Sequence, residues 1–402
     1  MKHSTTQPQT KLCFILGTRP EIIKLAPLIL ECEARNIPYR IIHTGQHYSE
    51  QLNDVFLRDL GITTIHHNIA VGSATHGAQT GAMLQRIEAV LIAEGPDMVI
   101  VQGDTNSVLS GALAAAKLNI PVAHVEGGLR SYDRTMPEEI NRVVTGAVAA
   151  LHFVPTQGAA KNLLREGIHP DCVHVVGNTI VDAVLGFKDQ ASKRSKLIAQ
   201  LGLADKSYSL ITIHRPENTD FPDRLHTIFA SLTELATTHD LQLVWPMHPR
   251  TKAKIDSFGM TDALHTIPNL HLLEPVTFFD LLALQQHSRV TLTDSGGIQE
   301  ESCILKVPCV TIRNNTERPE SIEVGANYLA GCDTRRILAG AHKMLGSSRA
   351  WQNPFGDGTT ATQILDIITE HLAPVQTPAP SQTPDDEAAP ESSPTTATMN
   401  QA

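Results

Sequence analysis

Short, almost wholly apolar runs recur along the chain, and each is followed by a segment long enough to be a helix. LCFIL (12–16) leads into a helical stretch opening at Pro20, and DMVIVQ (97–102) precedes TNSVLSGALAAAKL. PVAHVE (121–126) precedes a helix beginning near Pro137, LHFVP (151–155) leads into TQGAAKNLLREG, and VHVVG (173–177) into NTIVDAV. A second series starts at YSLITIH (208–214) and continues with LQLVWPMH, LHLLE, RVTLTD and VPCVTI. Strands that read as continuous apolar runs are covered on both faces, so the pattern predicts parallel sheets with helices on each side. The expected fold class is α/β, with two doubly wound, Rossmann-like parallel-sheet domains spanning 11–182 and 183–356. A helix near 357–373 is expected to pack back on the first domain. Ligands of such sheets bind beyond the C-terminal ends of the strands. GTRPE, GDTNS, EGGLRS, HRPEN, HPR and DSGG all directly follow a predicted strand. The expected site is therefore the cleft between the domains.

The two ends have a different composition. Residues 1–10 are polar, and 374–402 are rich in Pro, Thr, Ser and Ala with almost nothing to bury, so both are expected to be disordered. Across 402 residues, hydrophobic side chains make up 41% and charged ones 18%, enough for globular domains between those ends. The net charge of −10 argues against a nucleic-acid partner, because such proteins bind by neutralising phosphates. It leaves room for a diphosphate held locally by a few Arg and a helix N-terminus. Aromatic content of 4%, with two Trp, speaks against an aromatic carbohydrate groove. The six Cys form no CxxC pair and sit mostly in apolar runs, as buried thiols in a reducing compartment do. No apolar stretch is long enough to cross a bilayer and the N-terminus lacks the apolar core of a signal peptide, so no membrane partner and a cytoplasmic location are expected.

Several of the strand-end motifs carry chemistry. In GTRPEIIK (17–24), Gly17 allows a tight turn and Pro20 suits the first helical position, which would leave Arg19 beside free backbone N–H groups suited to an anion. Arg19 and Lys24 could equally be solvated or paired with Glu21. In DSGGIQEE (294–301), Ser295 is a natural N-cap, and Gly296 and Gly297 let N–H groups approach a phosphate; Glu301 follows about a turn and a half later. Asp104 and Glu126 end consecutive strands, and Glu138 and Glu139 open a helix. Carboxylates meeting in one cleft can act as general acid and base. Asp104 could instead cap a helix, Glu138 could merely favour a helix N-terminus, and Glu139 is expected to be solvated. HRPEN and MHPR bring His214, Arg215 and His248 to strand ends of the second domain. HExxH, GxGxxG after the first strand, GxxxxGK[ST] and GxSxG are absent, so neither a metal nor a cofactor is expected.

Taken together, GTRPEIIKLAPL, TGQHY, GDTNSVL, HVEGGLRS with MPEEINR, GNTIVDAV, HRPEN, LTDSGGIQEE and TERPESIEVG occur in this order across about residues 12–330. The set resembles the non-hydrolysing UDP-N-acetylglucosamine 2-epimerases. The resemblance implies the two-domain architecture of B-type glycosyltransferases, with UDP held mainly by the second domain, a homodimer, and a UDP-sugar as substrate. It also implies reversible inversion at C2 by UDP elimination and re-addition, serving surface polysaccharide synthesis. By position, Asp104, Glu126 and Glu138 match the family's catalytic carboxylates and His214 its catalytic His. Arg19, Ser295 and Arg318 match positions that hold phosphate or sugar, Glu301 the ribose-binding Glu, and Lys24 a lysine near the sugar. Arg215, Gly296 and Gly297 complete the expected substrate-binding set. Gly127 stands where the family more often has Ala, a change expected to be tolerated. His248 matches an effector-site histidine, but HYSEQLNDVF (47–56) does not align with the effector glutamines, and AVGSATHGAQTG (70–81) offers no arginine. The alternatives are a 2-epimerase of a UDP-diacetamido-uronic acid, a hydrolysing 2-epimerase, or a glycosyltransferase of the same fold.

Overall fold

The computed structural model describes residues 10–45 and 56–373. Nearly all of the N-terminal stretch, the whole C-terminal tail, and most of TGQHY and HYSEQLNDVF lie outside the described residues. Within the rest are two all-parallel sheets. The first contains β1 (Leu12–Leu16), β2 (Tyr39–His43), β3 (His67–Asn68), β4 (Met98–Gln102), β5 (Val122–Val125), β6 (Leu151–Val154) and β7 (Val173–Val175), in the order β3-β2-β1-β4-β5-β6-β7. The second contains β8 (Tyr208–Thr212), β9 (Gln242–Pro246), β10 (Leu270–Leu273), β11 (Val290–Thr293), β12 (Cys309–Thr311) and β13 (Asn327–Leu329), in the order β10-β9-β8-β11-β12-β13. Strand order reverses between β1 and β4 in one sheet and between β8 and β11 in the other, and such switch points open a crevice at the C-terminal strand ends. GTRPE, GDTNS, HRPEN and DSGG are the loops that follow these four strands.

Strand alternation divides the first core in two. Leu12, Phe14 and Leu16 face one helical layer with Leu25, Ile29, Ile364, Leu365 and Ile368, while Cys13 and Ile15 face the other with Met83, Ile87, Leu91 and Val108. The first layer also takes in Phe279, Leu282, Cys303 and Ile304, so it continues into the second half of the molecule. The last helix, Thr360–His371, belongs to that layer too. Asp182 Oδ1 accepts from Ala361 N at 2.8 Å, and Arg35 Nη1 meets Asp366 Oδ1 at 2.6 Å. Three strands and one helix did not stand out in the hydrophobic pattern. β2 is interrupted by Arg40, while β3 and β13 are too short to make an apolar run. Helix His76–Glu94 buries only Gln79, Met83, Ile87 and Leu91, a single stripe at four-residue spacing. No helix of the described residues is long and apolar enough to cross a membrane.

Two features yield measurable consequences. Gly128 has φ +78, and a Cβ there would lie 2.4 Å from the Ala159 carbonyl oxygen, whereas a Cβ on Gly127 would meet nothing closer than 3.4 Å. Gly128→Ala should cost about 3 kcal/mol through left-handed strain and overpacking, and Gly127→Ala should leave the thermal midpoint nearly unchanged. Equal effects in thermal melts would contradict this. Separately, His124 and His152 are register partners on β5 and β6 and are fully buried. Burial lowers their basicity to about 4 and about 3. Both lie below the unfolded value near 6.5, so their stabilising contribution is complete above that pH and drains away as pH falls toward 4. The unfolding free energy from urea titrations should drop over that window by about 1.4 kcal/mol per pH unit per histidine, and His152→Met should flatten the slope.

Candidate active site

The turn after β1 does not offer its N–H groups to a ligand. Glu21, in the first turn of helix Arg19–Arg35, folds back so that its Oε2 accepts from Gly17 N at 2.8 Å and Thr18 N at 2.6 Å. Its Oε1 accepts from Thr105 Oγ1 at 2.5 Å. These are the groups expected from the sequence to bind an anion, and the reciprocal helix cap has already used them. Arg19 is exposed, with its guanidinium 5.6 Å from the centre of the Phe56 ring, outside the residues that line the cavity below. Lys24, one helical turn further along, reaches inward instead.

Lys24 enters a buried ionic cluster built from both halves of the molecule. Its Nζ lies 2.5 Å from Glu126 Oε2 and 3.7 Å from Glu300 Oε2. Arg318 donates from Nη2 to Glu126 Oε1 at 3.1 Å and from Nε to Glu300 Oε1 at 2.5 Å. Gln102 and Asn178 add amide donors to Glu126 and Glu300. Burial alone would raise the Glu126 carboxyl, but Lys24 and Arg318 hold it below the usual range. Its backbone has φ +63, which ends β5 and aims the side chain into the cleft at a cost of about 1–2 kcal/mol. Glu301 has no such partner. Burial, followed by the charge of Glu300, pushes it up to about 8, which favours its protonated form near neutral pH.

Asp104 closes one side of the cleft. Arg142 donates to Asp104 Oδ2 from both Nε (2.9 Å) and Nη2 (2.6 Å), and Asn141 Nδ2 donates to the Asp104 carbonyl at 2.9 Å. Burial raises the Asp104 carboxyl and Arg142 opposes the rise. Glu138 is exposed at the mouth and faces the same cavity. Glu139, by contrast, is not solvated as expected. It is 1% exposed, because the rotation of helix Pro137–Val148 that turns Glu138 outward turns its neighbour in.

The opposite wall comes from the second sheet. Asp294, wholly buried, accepts from His214 N at 3.0 Å, Arg215 N at 2.9 Å and Asn218 Nδ2 at 3.1 Å, and so fixes the HRPEN turn. His214 Nδ1 lies 3.6 Å from Asp294 Oδ1, and burial lowers the imidazole's basicity despite that carboxylate. Helix Gly296–Ile304 opens at Ser295, whose hydroxyl makes no cap hydrogen bond. Neither Gly296 nor Gly297 has positive φ, and a Cβ on either would meet no protein atom closer than 3.9 Å. The fold does not need glycine there; its absence of a side chain keeps the cavity open above the helix N-terminus. Asp104, Glu126, Glu138, Lys24, His214, Arg215, Ser295, Gly296, Gly297, Glu301 and Arg318 all line this cavity of about 440 Å³, a size typical of small-molecule sites. Arg142, Glu300 and Glu21 line it too and were not singled out from the sequence. Arg142 could have been, since it follows Glu138 by four residues on one helix; Glu300 was masked by Glu301. Among the described residues no group of three His, Cys, Asp or Glu could hold a metal ion.

Comparisons with known proteins agree with this architecture. A family model described as UDP-N-acetylglucosamine 2-epimerase matches residues 30–369. The UDP-N-acetylglucosamine 2-epimerase of Methanocaldococcus jannaschii is 49% identical over 361 residues, which is 89% of this chain and 99% of that one. Its crystal structure in complex with UDP-GlcNAc and UDP superposes with a TM-score of 0.82, covering 90% of this chain and 100% of that chain. A UDP-2,3-diacetamido-2,3-dideoxy-D-glucuronate 2-epimerase of Pseudomonas aeruginosa is 37% identical over 364 residues, 90% of this chain and 99% of that one. The fold is the two-domain parallel-sheet architecture expected, and the chain belongs to the UDP-N-acetylglucosamine 2-epimerase family.

Proposed function

We propose that this protein interconverts UDP-N-acetylglucosamine and UDP-N-acetylmannosamine by eliminating and re-adding UDP. One observation carries the reading: three carboxylates from the first half share a cavity with a glycine-opened helix N-terminus from the second. The diphosphate lies over Ser295, Gly296 and Gly297, where backbone N–H groups and the helix dipole favour an anion. Arg318 and Arg215 add charge, and Glu301 takes the ribose hydroxyls. A carboxylate removes the C2 proton, the C1–O bond to the β-phosphate breaks, and UDP and 2-acetamidoglucal remain in the cleft. UDP then returns to C1 while a proton reaches the other face of C2.

The geometry favours a division of labour among the acids. Both oxygens of Glu126 are occupied by cations or an amide, whereas among the described residues Asp104 keeps Oδ1 free and Glu138 has no hydrogen-bond partner. We therefore assign the two proton transfers at C2 to Asp104 and Glu138, and to Glu126 the placing of Lys24 and Arg318. His214, beside the phosphates, protonates the departing oxygen, since a nearby dianion favours imidazolium. Closure of the two halves keeps UDP in place and water out.

Incubation with UDP-N-acetylglucosamine in deuterium oxide tests this directly. Proton NMR should show deuterium at C2 of both epimers and no free N-acetylmannosamine; free sugar would establish the hydrolysing chemistry instead, and unlabelled substrate would end the proposal. Asp104→Asn should lower kcat at least about 1000-fold, the scale of a lost acid–base group. Gly297→Ala should weaken UDP about tenfold in calorimetry while leaving the thermal midpoint intact, because the added methyl meets ligand and not protein.

A further inference from the structure

Glu139 has no access to the cavity, yet it makes more polar contacts than either acid assigned to proton transfer. Its Oε2 accepts from Ser131 N at 2.9 Å, Ser131 Oγ at 3.1 Å and Arg142 Nη1 at 2.9 Å, and its Oε1 accepts from Tyr132 N at 3.0 Å. Tyr132 has φ +60, a conformation that a non-glycine residue holds only when its surroundings impose it. Glu139 imposes it, and in doing so joins the segment after β5 to helix Pro137–Val148. The guanidinium it holds then turns its remaining edge to Asp104. Nε and Nη2 of Arg142 both bind Oδ2, so one oxygen of Asp104 is fixed and Oδ1 is left facing the cavity. A free guanidinium would take both carboxylate oxygens in a parallel fork. Anchoring its third nitrogen on Glu139 fixes the plane and angle from which the Nε/Nη2 edge meets Asp104.

We infer that Glu139 and Arg142 are positioning residues for proton transfer: Glu139 fixes the angle of Arg142, and Arg142 presents Asp104 to the sugar through a single free oxygen. This rests on the proton-transfer role given to Asp104 above. Arg142 also supplies the positive charge that favours the ionised form of the half-buried Asp104 carboxylate. The other charges facing Asp104 are Glu138, on the same helix as Arg142, and Glu126, at the end of β5, and both oppose ionisation. Across the cleft His214 and Arg215 line the same cavity. Removing the Arg142 charge therefore raises the Asp104 carboxyl further. A rate that needs the ionised form then fails at higher pH, and the acid limb of the kcat profile moves up.

The test compares Glu139→Gln, Arg142→Lys, Arg142→Gln and Asp104→Asn in the full-length protein. Each is followed by steady-state kinetics from pH 5 to 9, by UDP calorimetry and by thermal melting. Glu139→Gln should lower kcat about tenfold, a typical loss for a misplaced reacting group, with KM and UDP affinity within about twofold of the parent. Arg142→Gln should lower kcat further and shift the acid limb upward by about one pH unit, and Arg142→Lys should restore the limb but not the full kcat. If Asp104→Asn is inactive while Glu139→Gln and Arg142→Gln keep the parental kcat and limb, the positioning inference is wrong and the reading of Asp104 survives. If Asp104→Asn stays active, that reading falls and the inference with it. A purely structural role would lower the melting midpoint of Glu139→Gln and leave both the kcat of its folded fraction and the acid limb unchanged, which also overturns it.

Discussion

The site depends on a buried exchange of charge between the two halves of the molecule. Lys24, on helix Arg19–Arg35, and Glu126, at the end of β5, come from the first half, Glu300, on helix Gly296–Ile304, and Arg318 from the second, and each cation lies near both carboxylates. A buried ion is tolerated only when paired and hydrogen-bonded, and removing one partner leaves the rest uncompensated. The cluster therefore does more than join two surfaces. It fixes the separation at which the helix N-terminus at Ser295 faces the acids at Asp104 and Glu138. It also accounts for the raised carboxyl of Glu301, adjacent in sequence to Glu300: burial and the neighbouring charge of Glu300 outweigh the pull of Lys24 and favour the protonated form.

The surrounding backbone serves the same end. β5 stops at Glu126 because a left-handed residue cannot continue the strand, and Gly128 extends the turn where the Ala159 carbonyl leaves no room for a side chain. Asp294 does the corresponding work in the second half, drawing the His214 and Arg215 amides together with one buried carboxylate. Strain and buried charge are thus concentrated at the strand ends, while the strands themselves are apolar and regular. This is the expected distribution when a rigid scaffold carries a reactive site.

That division also explains what the sequence could reveal. Apolar runs feeding helices are a pattern of composition, so the two parallel sheets and the motifs at their strand ends were readable. Side-chain direction is not such a pattern. Glu138 and Glu139 are adjacent carboxylates in one helical turn, and only the rotation of the helix decides that the first meets the cavity and the second is buried. Glu300 and Glu301 pose the same problem at the next helix. Arg19 and Lys24 are five residues apart on one helix, yet one lies over Phe56 at the surface and the other in the ionic cluster. The Gly17 and Thr18 amides were readable as a helix N-terminus but not as one already occupied by Glu21, which needs the capping geometry itself.

On the proposed reading, charge balance also governs how UDP is retained between its two roles. Lys24 and Arg318 are each paired with Glu126 and Glu300, so the diphosphate is received first by the backbone N–H groups at 295–297 and by Arg215, with Arg318 adding to its hold. As the C1–O bond breaks, negative charge builds on the departing diphosphate oxygen until His214 delivers its proton. At that moment its attraction for Arg318 and Lys24 rises against that of Glu126 and Glu300, which hold both cations in place. The attraction is thus strongest while the C1–O bond is breaking and weaker for the intact sugar nucleotide, the order required of a site that must stabilise the transition state and then give the product up.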